Sequence, residues 1–277
     1  MFKSKRYDDE TLKHLQKVQI TILKDFIKIC EDNNITYFIY GGSLLGTIRH
    51  KGFIPWDDDI DVIMFRKDFE KLNEILEKNL DEKYNYFNIF NEDTYFYTWA
   101  RLTLKNTIFA EWWADQVDYT PNIFIDIFIL DNVPNNQIKR KIHLCEGFIL
   151  NQLTMYAYIK FDNESVLKKL FQQTIYHLLK IMPISPVTIK KKCLKVYSKY
   201  KDEECDAVCD FPAKCQLPIY YKKDLLPLKK AKFEDLTVNV PNNPDKILTR
   251  IYGDYMELPP KDKRFRLAPE KIDFGKY

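Results

Sequence analysis

Apolar residues at Leu12, Leu15, Val18, Ile22, Leu23, Phe26, Ile27 and Cys30 recur three and four apart, which predicts an amphipathic helix over Thr11–Asn33. Asp8 or Asp9 can cap its start, and Asp32-Asn33-Asn34 ends it. The run Ile35–Tyr40 predicts a strand that stops at Gly41-Gly42-Ser43, and Leu44–Arg49 predicts a short helical piece. Past a loop through Pro55 and Trp56, Ile60 and Val62 alternate with Asp59 and Asp61, the pattern of a strand with one buried face, which continues to Phe65. Arg66–Leu80 predicts a helix with Phe69, Leu72, Ile75 and Leu76 inward and its charges on a solvated face. Aromatic-rich strands are expected at Tyr84–Phe90 and Tyr95–Leu104, and a buried strand at Pro121–Leu130. From Gln137 the pattern turns helical and lysine-rich: Lys139–Ala157, Ser165–Met182 and, after a Pro183–Pro186 break, Val187–Tyr200. Extended segments at Pro218–Leu228 and Lys230–Val240 and a helix over Asn242–Tyr255 follow. This order predicts an α/β (α+β) fold, a mixed sheet flanked by helices with an additional mainly helical segment. Its expected parts are a core over 1–136, a helical segment over 137–201 and a C-terminal part over 202–277 that packs back on the core.

Several positions in this pattern suggest chemistry. Paired glycines after a strand let a ligand approach the backbone, and the N–H groups of a helix start, with the Ser43 hydroxyl, suit a phosphate. Along a strand Asp59 and Asp61 share a face about 6–7 Å apart, joined by Asp57 if the strand extends that far back. Such carboxylates suit a hard cation such as Mg²⁺, which also holds substrate phosphates; the bland alternative is a solvated acidic turn. Asp126 is the lone charge in an apolar run, so it needs a partner, either a cation or a buried salt bridge. Arg101, isolated in Trp99-Ala100-Arg101-Leu102, suits a diphosphate through its planar fork or pairs with a structural carboxylate. Tyr95, Tyr97, Trp99 and the aromatic Glu111–Tyr119 offer rings that either surround a quaternary ammonium or pack the sheet.

The stretch Gly41-Gly42-Ser43-Leu44-Leu45-Gly46, then Arg49-His50, then Ile54-Pro55-Trp56-Asp57-Asp58-Asp59-Ile60-Asp61, closely resembles the LicD family. Leu248–Arg264 resembles that family's closing motif, while the middle of the chain matches only loosely. The resemblance implies a nucleotidyltransferase-like fold and kinship with fukutin, which handles ribitol phosphate. It implies metal-dependent transfer of phosphocholine from CDP-choline to a sugar hydroxyl of a bacterial surface glycan, a teichoic acid or lipopolysaccharide precursor, with release of CMP. On this resemblance Asp59 and Asp61 hold Mg²⁺, or Mn²⁺ in its place, with Asp126 as the third carboxylate and Asp126 or Asp57 as the base. Gly41-Gly42-Ser43 and Arg49 meet the diphosphate, and Arg101, Trp56 and Trp99 belong to the substrate site. Two alternatives stay open: the same acids transfer glycerol phosphate, ribitol phosphate or a nucleotidyl group, or the protein is a non-catalytic glycan-binding member.

Composition narrows the partners. With 43 basic and 40 acidic residues the net charge is +3, too slight to argue for nucleic acid. The N-terminus lacks the apolar core of a signal peptide, and no stretch is long and apolar enough to span a bilayer, so a cytoplasmic protein is expected. A lipid-linked acceptor would place it at the inner face of the membrane. The lysine-rich helices between 165 and 200 fit either peripheral membrane contact or an ordinary bundle, and the bundle is the expectation. Cys30 and Cys145 sit in apolar helical context and are expected to be buried thiols. Cys205, Cys209 and Cys215 would need a fourth ligand, such as Cys193, to bind zinc, and His143 and His177 read as structural.

Overall fold

The computed structural model of the protein describes residues 6–88, 91, 93–161, 165–211 and 219–277. Helix α1 (Asp9–Asp32) starts where predicted, its cap being Asp8, whose carboxylate accepts the Thr11 N–H at 2.8 Å. Its apolar stripe is buried against the sheet, and so is Gln19, whose side-chain amide donates to the carbonyl oxygens of Asp58 and Phe124. Strand β1 (Phe38–Ile39) is shorter than the apolar run around it, because Tyr40 already caps α2 (Gly41–Arg49). Gly41-Gly42-Ser43 is therefore the first turn of a helix and not a turn ahead of one. Gly41 has φ +54°, a left-handed conformation open to glycine, and that lets the chain swing from strand into helix.

Strand β2 (Asp61–Phe65) includes Asp61 but leaves Asp57, Asp58 and Asp59 in the loop before it. Helix α3 (Arg66–Asn79) buries Phe69, Leu72 and Leu76 as expected. Its charges are not all on a solvated face: Arg66, 6% exposed, forms a two-pronged ion pair with Asp131 at 2.8 and 2.6 Å. Asp131 lies buried within a long strand.

Strands β3 (Tyr84–Phe87), β4 (Ala100–Leu104), β5 (Ile108–Ala110) and β6 (Phe124–Val133) follow. The predicted strand over Tyr95–Leu104 forms only in its second half. Tyr95, Phe96 and Tyr97 instead pack with Trp113 and Ile159 into an aromatic cluster of their own. Helices α4 (Gln137–Tyr158), α5 (Val166–Ile181) and α6 (Pro186–Tyr197) match the lysine-rich pattern. α4 and α6 pack together over the far end of β6 through Leu150, Cys193, Tyr197 and Phe211. α5 departs from the bundle expectation, since none of its residues is buried. Cys145, on α4, is exposed and not the buried thiol its context suggests.

Strands β7 (Ala207–Cys209) and β8 (Ile219–Tyr221), short helix α7 (Lys222–Leu225), hairpin β9 (Lys229–Phe233) and β10 (Leu236–Val240), α8 (Pro244–Tyr252) and β11 (Lys271–Asp273) complete the order. Gly253, at φ +68°, ends α8. The described strands form a seven-stranded mixed sheet ordered β1-β2-β6-β4-β3, extended by β7 on β6 and β8 on β7. Only the β2–β6 pair is parallel. β7 and β8 thus bring the C-terminal part into the same sheet, and β11 pairs with β5.

Candidate active site

Strand register sets the geometry. Asp61 on β2 is the partner of Asp126 on β6, and Asp126 is in turn the partner of Arg101 on β4, which gives a row of three charges across adjacent strands. Arg101 donates from Nε to Asp126 Oδ1 at 2.7 Å, and Trp99 Nε1 donates to the same oxygen at 2.7 Å. Asp126 Oδ2 has a longer contact, 3.5 Å, with Arg101. Arg101 is also capped by the Phe124 ring at 3.6 Å and stands 3.7 Å from Glu111. Of the two roles open to Arg101 in the sequence, the structure displays the carboxylate pairing.

The acidic loop is anchored from behind by α1, where Gln16 and Gln19 donate to the carbonyl oxygens of Asp57 and Asp58. The ligand oxygens of Asp57, Asp58 and Asp59 all lie within 4.8 Å of one another. Asp61 and Asp126 face this trio without being drawn as close. Burial, then Asp57 and Asp58, push Asp59 well above the usual carboxylate range; burial, then Asp59 and Asp126, do the same to Asp61. Asp58 is pushed up to about 6, chiefly by burial, and Asp57 is raised by burial against the lowering effect of Arg266. Crowded, partly dehydrated carboxylates of this kind are a hard oxygen donor set, the type that Mg²⁺ or Mn²⁺ takes. A divalent cation fits these residues, including the less engaged Oδ2 of Asp126.

Both glycines of the α2 start touch this cluster. A Cβ on Gly41 would lie 2.6 Å from Asp61 Oδ2, and one on Gly42 would lie 2.8 Å from Asp57 Oδ2. The Ser43 hydroxyl, buried, accepts the Asp61 N–H at 2.9 Å and so ties the helix to β2. Arg49 is at the other end of α2, about 12 Å away at 1.5 Å per residue. There its guanidinium donates to the Tyr255 carbonyl and to His50, clear of the acids. Trp56 keeps company with His50 and Arg264 on that same side.

A cavity of about 450 Å³ opens beside the acids. Asp58, Asp59, Asp126, Glu111, Arg101 and Arg266 supply its charged wall, and Phe109, Phe124 and Phe265 its rings. These are not the rings singled out in the sequence: Tyr95 and Tyr97 are spent on the aromatic cluster, and Trp99 stacks on Phe128. Asp58, Glu111 and Arg266 are further site residues that the sequence pattern does not distinguish from surface charge. Arg266 donates to Asp57 Oδ1 at 2.9 Å, on a C-terminal segment held by Arg6, which bridges to Leu267 and lies 3.7 Å over Phe265. The second motif returns to the first through Arg49 on α2, which donates to the Tyr255 carbonyl just past the end of α8. Among the described residues the cysteines form no metal-ligand group, and Cys215 lies outside those residues. Cys193 and Cys209 are small-core residues beside α6 and β7, with Cys193 pushed up to about 11 by burial.

Residues 34–144 match the family model described as LicD/FKTN/FKRP, nucleotidyltransferase domain. The chain is similar to lipopolysaccharide cholinephosphotransferase LicD of Haemophilus influenzae, at 28% identity over 270 residues, covering 91% of this chain and 94% of the relative. A shorter stretch of 55 residues is 44% identical to an uncharacterized protein of Rickettsia prowazekii, covering 20% of this chain and 21% of the relative. The matched domain contains the acid row, both glycines and Arg101. Residues 34–144 thus match a LicD-type nucleotidyltransferase domain, and the similarity to a LicD cholinephosphotransferase extends over most of the chain.

Proposed function

We propose that the protein transfers phosphocholine from CDP-choline to a sugar hydroxyl of a bacterial surface glycan of the lipopolysaccharide type, releasing CMP, with Mg²⁺ or Mn²⁺ at its acidic cluster. The observation that carries this reading is a cavity whose wall joins crowded carboxylates, two guanidinium groups and three phenyl rings, in a chain similar along most of its length to a lipopolysaccharide cholinephosphotransferase. Asp59, Asp61 and Asp126 would hold the cation, with Asp57 and Asp58 beside them. When bound, the cation supplies neutralisation of the donor diphosphate, the main requirement of phosphoryl transfer.

Arg101 and Arg266 offer further positive charge at the cavity wall, and the N–H groups of the α2 start add a partial positive charge against Asp61 and Asp57. Phe109 and Phe265, with Asp58 and Glu111 close by, make a ring-and-carboxylate wall suited to a quaternary ammonium. The sugar oxygen attacks the phosphorus nearer the choline, the bond from that phosphorus to the bridging oxygen breaks, and CMP departs with the electron pair. Asp57 is the favoured acceptor of the hydroxyl proton. Burial raises its basicity, and its partner Arg266 belongs to an exposed segment, whereas Asp126 is fixed by Arg101 and Trp99.

The test is CMP release and choline incorporation with a lipopolysaccharide acceptor, run in parallel with CDP-choline, CDP-ethanolamine and CDP-glycerol. Faster turnover of CDP-choline supports the reading. Preference for CDP-glycerol would replace the transferred group, and no CMP from any donor would remove the activity altogether.

A further inference from the structure

Helix α5 turns its apolar side away from the protein. Leu167, Phe171 and Ile181 are 81%, 63% and 80% exposed, and Leu170 and Leu178 face outward with them. Leu167, Leu170 and Phe171 lie three and four apart and Leu178 and Ile181 three apart, two apolar groups on one face separated by Thr174 and spanning about 20 Å at 1.5 Å per residue. The half-buried side holds Ile175, Tyr176 and Leu179 together with Lys169, Gln172 and Gln173, and Gln172 reaches the Tyr156 hydroxyl on α4 at 3.5 Å, so most of the large apolar side chains of α5 are on the exposed side. A helix folded in water normally does the reverse. α4 adds Ile138, Ile142 and Ile149, each at least half exposed.

Charge identifies what covers this face. Residues 166–201 contain nine lysines and no aspartate or glutamate, and Lys168, Lys180, Lys191, Lys192 and Lys195 are exposed. No helix among the described residues is long and apolar enough to cross a bilayer. We propose that α5 lies in the plane of an anionic phospholipid surface, with Leu167, Leu170, Phe171, Leu178 and Ile181 sunk at the headgroup–acyl boundary and the lysines at the lipid phosphates. A second copy of this chain is disfavoured as the occupant, because pairing would set two acid-free lysine segments against each other. The inference uses nothing of the donor or the acidic site.

Flotation of the full chain with vesicles tests it. The protein floats with phosphatidylcholine–phosphatidylglycerol vesicles, binds pure phosphatidylcholine about tenfold less, and is released by high salt. L170Q/F171Q/L178Q lowers partitioning by about tenfold or more while the unfolding midpoint stays put, because these side chains have no core contacts to lose. Wild-type protein that stays unbound with both vesicle types, or a triple variant that floats like wild type, overturns the proposal. So does a wild-type dimer in sedimentation that the triple variant dissociates, which would assign the face to a second copy.

Discussion

Asp61 and Asp126 are register partners on parallel neighbouring strands, side by side on the sheet, and Arg101 closes the row by binding Asp126 at 2.7 Å. The two carboxylates are thus unequal. Asp126 already has a cationic partner on its own sheet, whereas Asp61 faces Asp59 and Asp126 and is pushed well above the usual carboxylate range. Asp61→Asn and Asp59→Asn should each lower turnover about a hundredfold or more while leaving the metal-free fold as stable as wild type, because each removes a repelled charge. Asp126→Asn should lose activity and also about 2–4 kcal/mol of stability, since it leaves Arg101 buried with only Glu111 nearby. Steady-state CMP release and urea unfolding of the three variants check both halves.

The same crowding sets the pH dependence. Asp58 is pushed up to about 6, mainly by burial, and Asp59 and Asp61 are raised well above the usual carboxylate range. In the unfolded chain these groups titrate near about 4, so above that pH the native state binds more protons than the unfolded one. Stability from these groups is therefore full below about 4 and declines as pH rises through 6 and beyond. Metal-free protein should melt several degrees higher at pH 5.5 than at pH 8. Saturating Mg²⁺ should flatten that slope by favouring the ionised forms. A Tm-against-pH series with and without the cation checks the sign.

Much of this arrangement can be read from the chain, and the parts that cannot have a common cause. α1 and α3 announce themselves by period, and Asp126 by being alone among apolar neighbours. Two motifs some two hundred residues apart do meet, Arg49 of the first donating to the Tyr255 carbonyl of the second. Arg66, however, occupies a helix start where a surface arginine would look the same; its partner Asp131 lies 65 residues away. Arg266 and Glu111 reach the cavity only when the chain closes, through pairings such as β11 with β5 and Arg6 with Leu267. Aromatic residues have strand propensity, which suggests a strand at Tyr95–Trp99, yet ring-on-ring packing decides their conformation. Periodicity shows that α5 is amphipathic but not which side it turns inward.

The two glycines of the first motif should respond differently to alanine. Gly41→Ala meets both Asp61 Oδ2 at 2.6 Å and a left-handed φ of +54°, so it should cost about 1–2 kcal/mol of stability as well as activity. Gly42→Ala meets only Asp57 Oδ2, at 2.8 Å, so its main effect should be on turnover. Comparison of unfolding midpoint and kcat for the two variants separates backbone strain from displacement of the acids.

The Arg66–Asp131 pair is scaffold, on the far half of β6 from Asp126. Arg66→Met should destabilise the protein by about 3–5 kcal/mol, because it leaves a buried carboxylate unpaired. Arg66→Met with Asp131→Leu should recover much of that loss. Urea unfolding of the cycle reads the coupling, and kcat per folded molecule should be unchanged throughout.

The central claim, that the Asp59–Asp61–Asp126 row holds a cation on which donor binding depends, is tested most directly by calorimetric titration of CDP-choline into the protein with Mg²⁺ and again with EDTA. Expected are binding with Mg²⁺, loss of binding in EDTA, preference over CDP-glycerol, and no magnesium-dependent heat for Asp61→Asn. Equal affinity for CDP-choline in Mg²⁺ and EDTA, or an Asp61→Asn protein that binds like wild type, would contradict it.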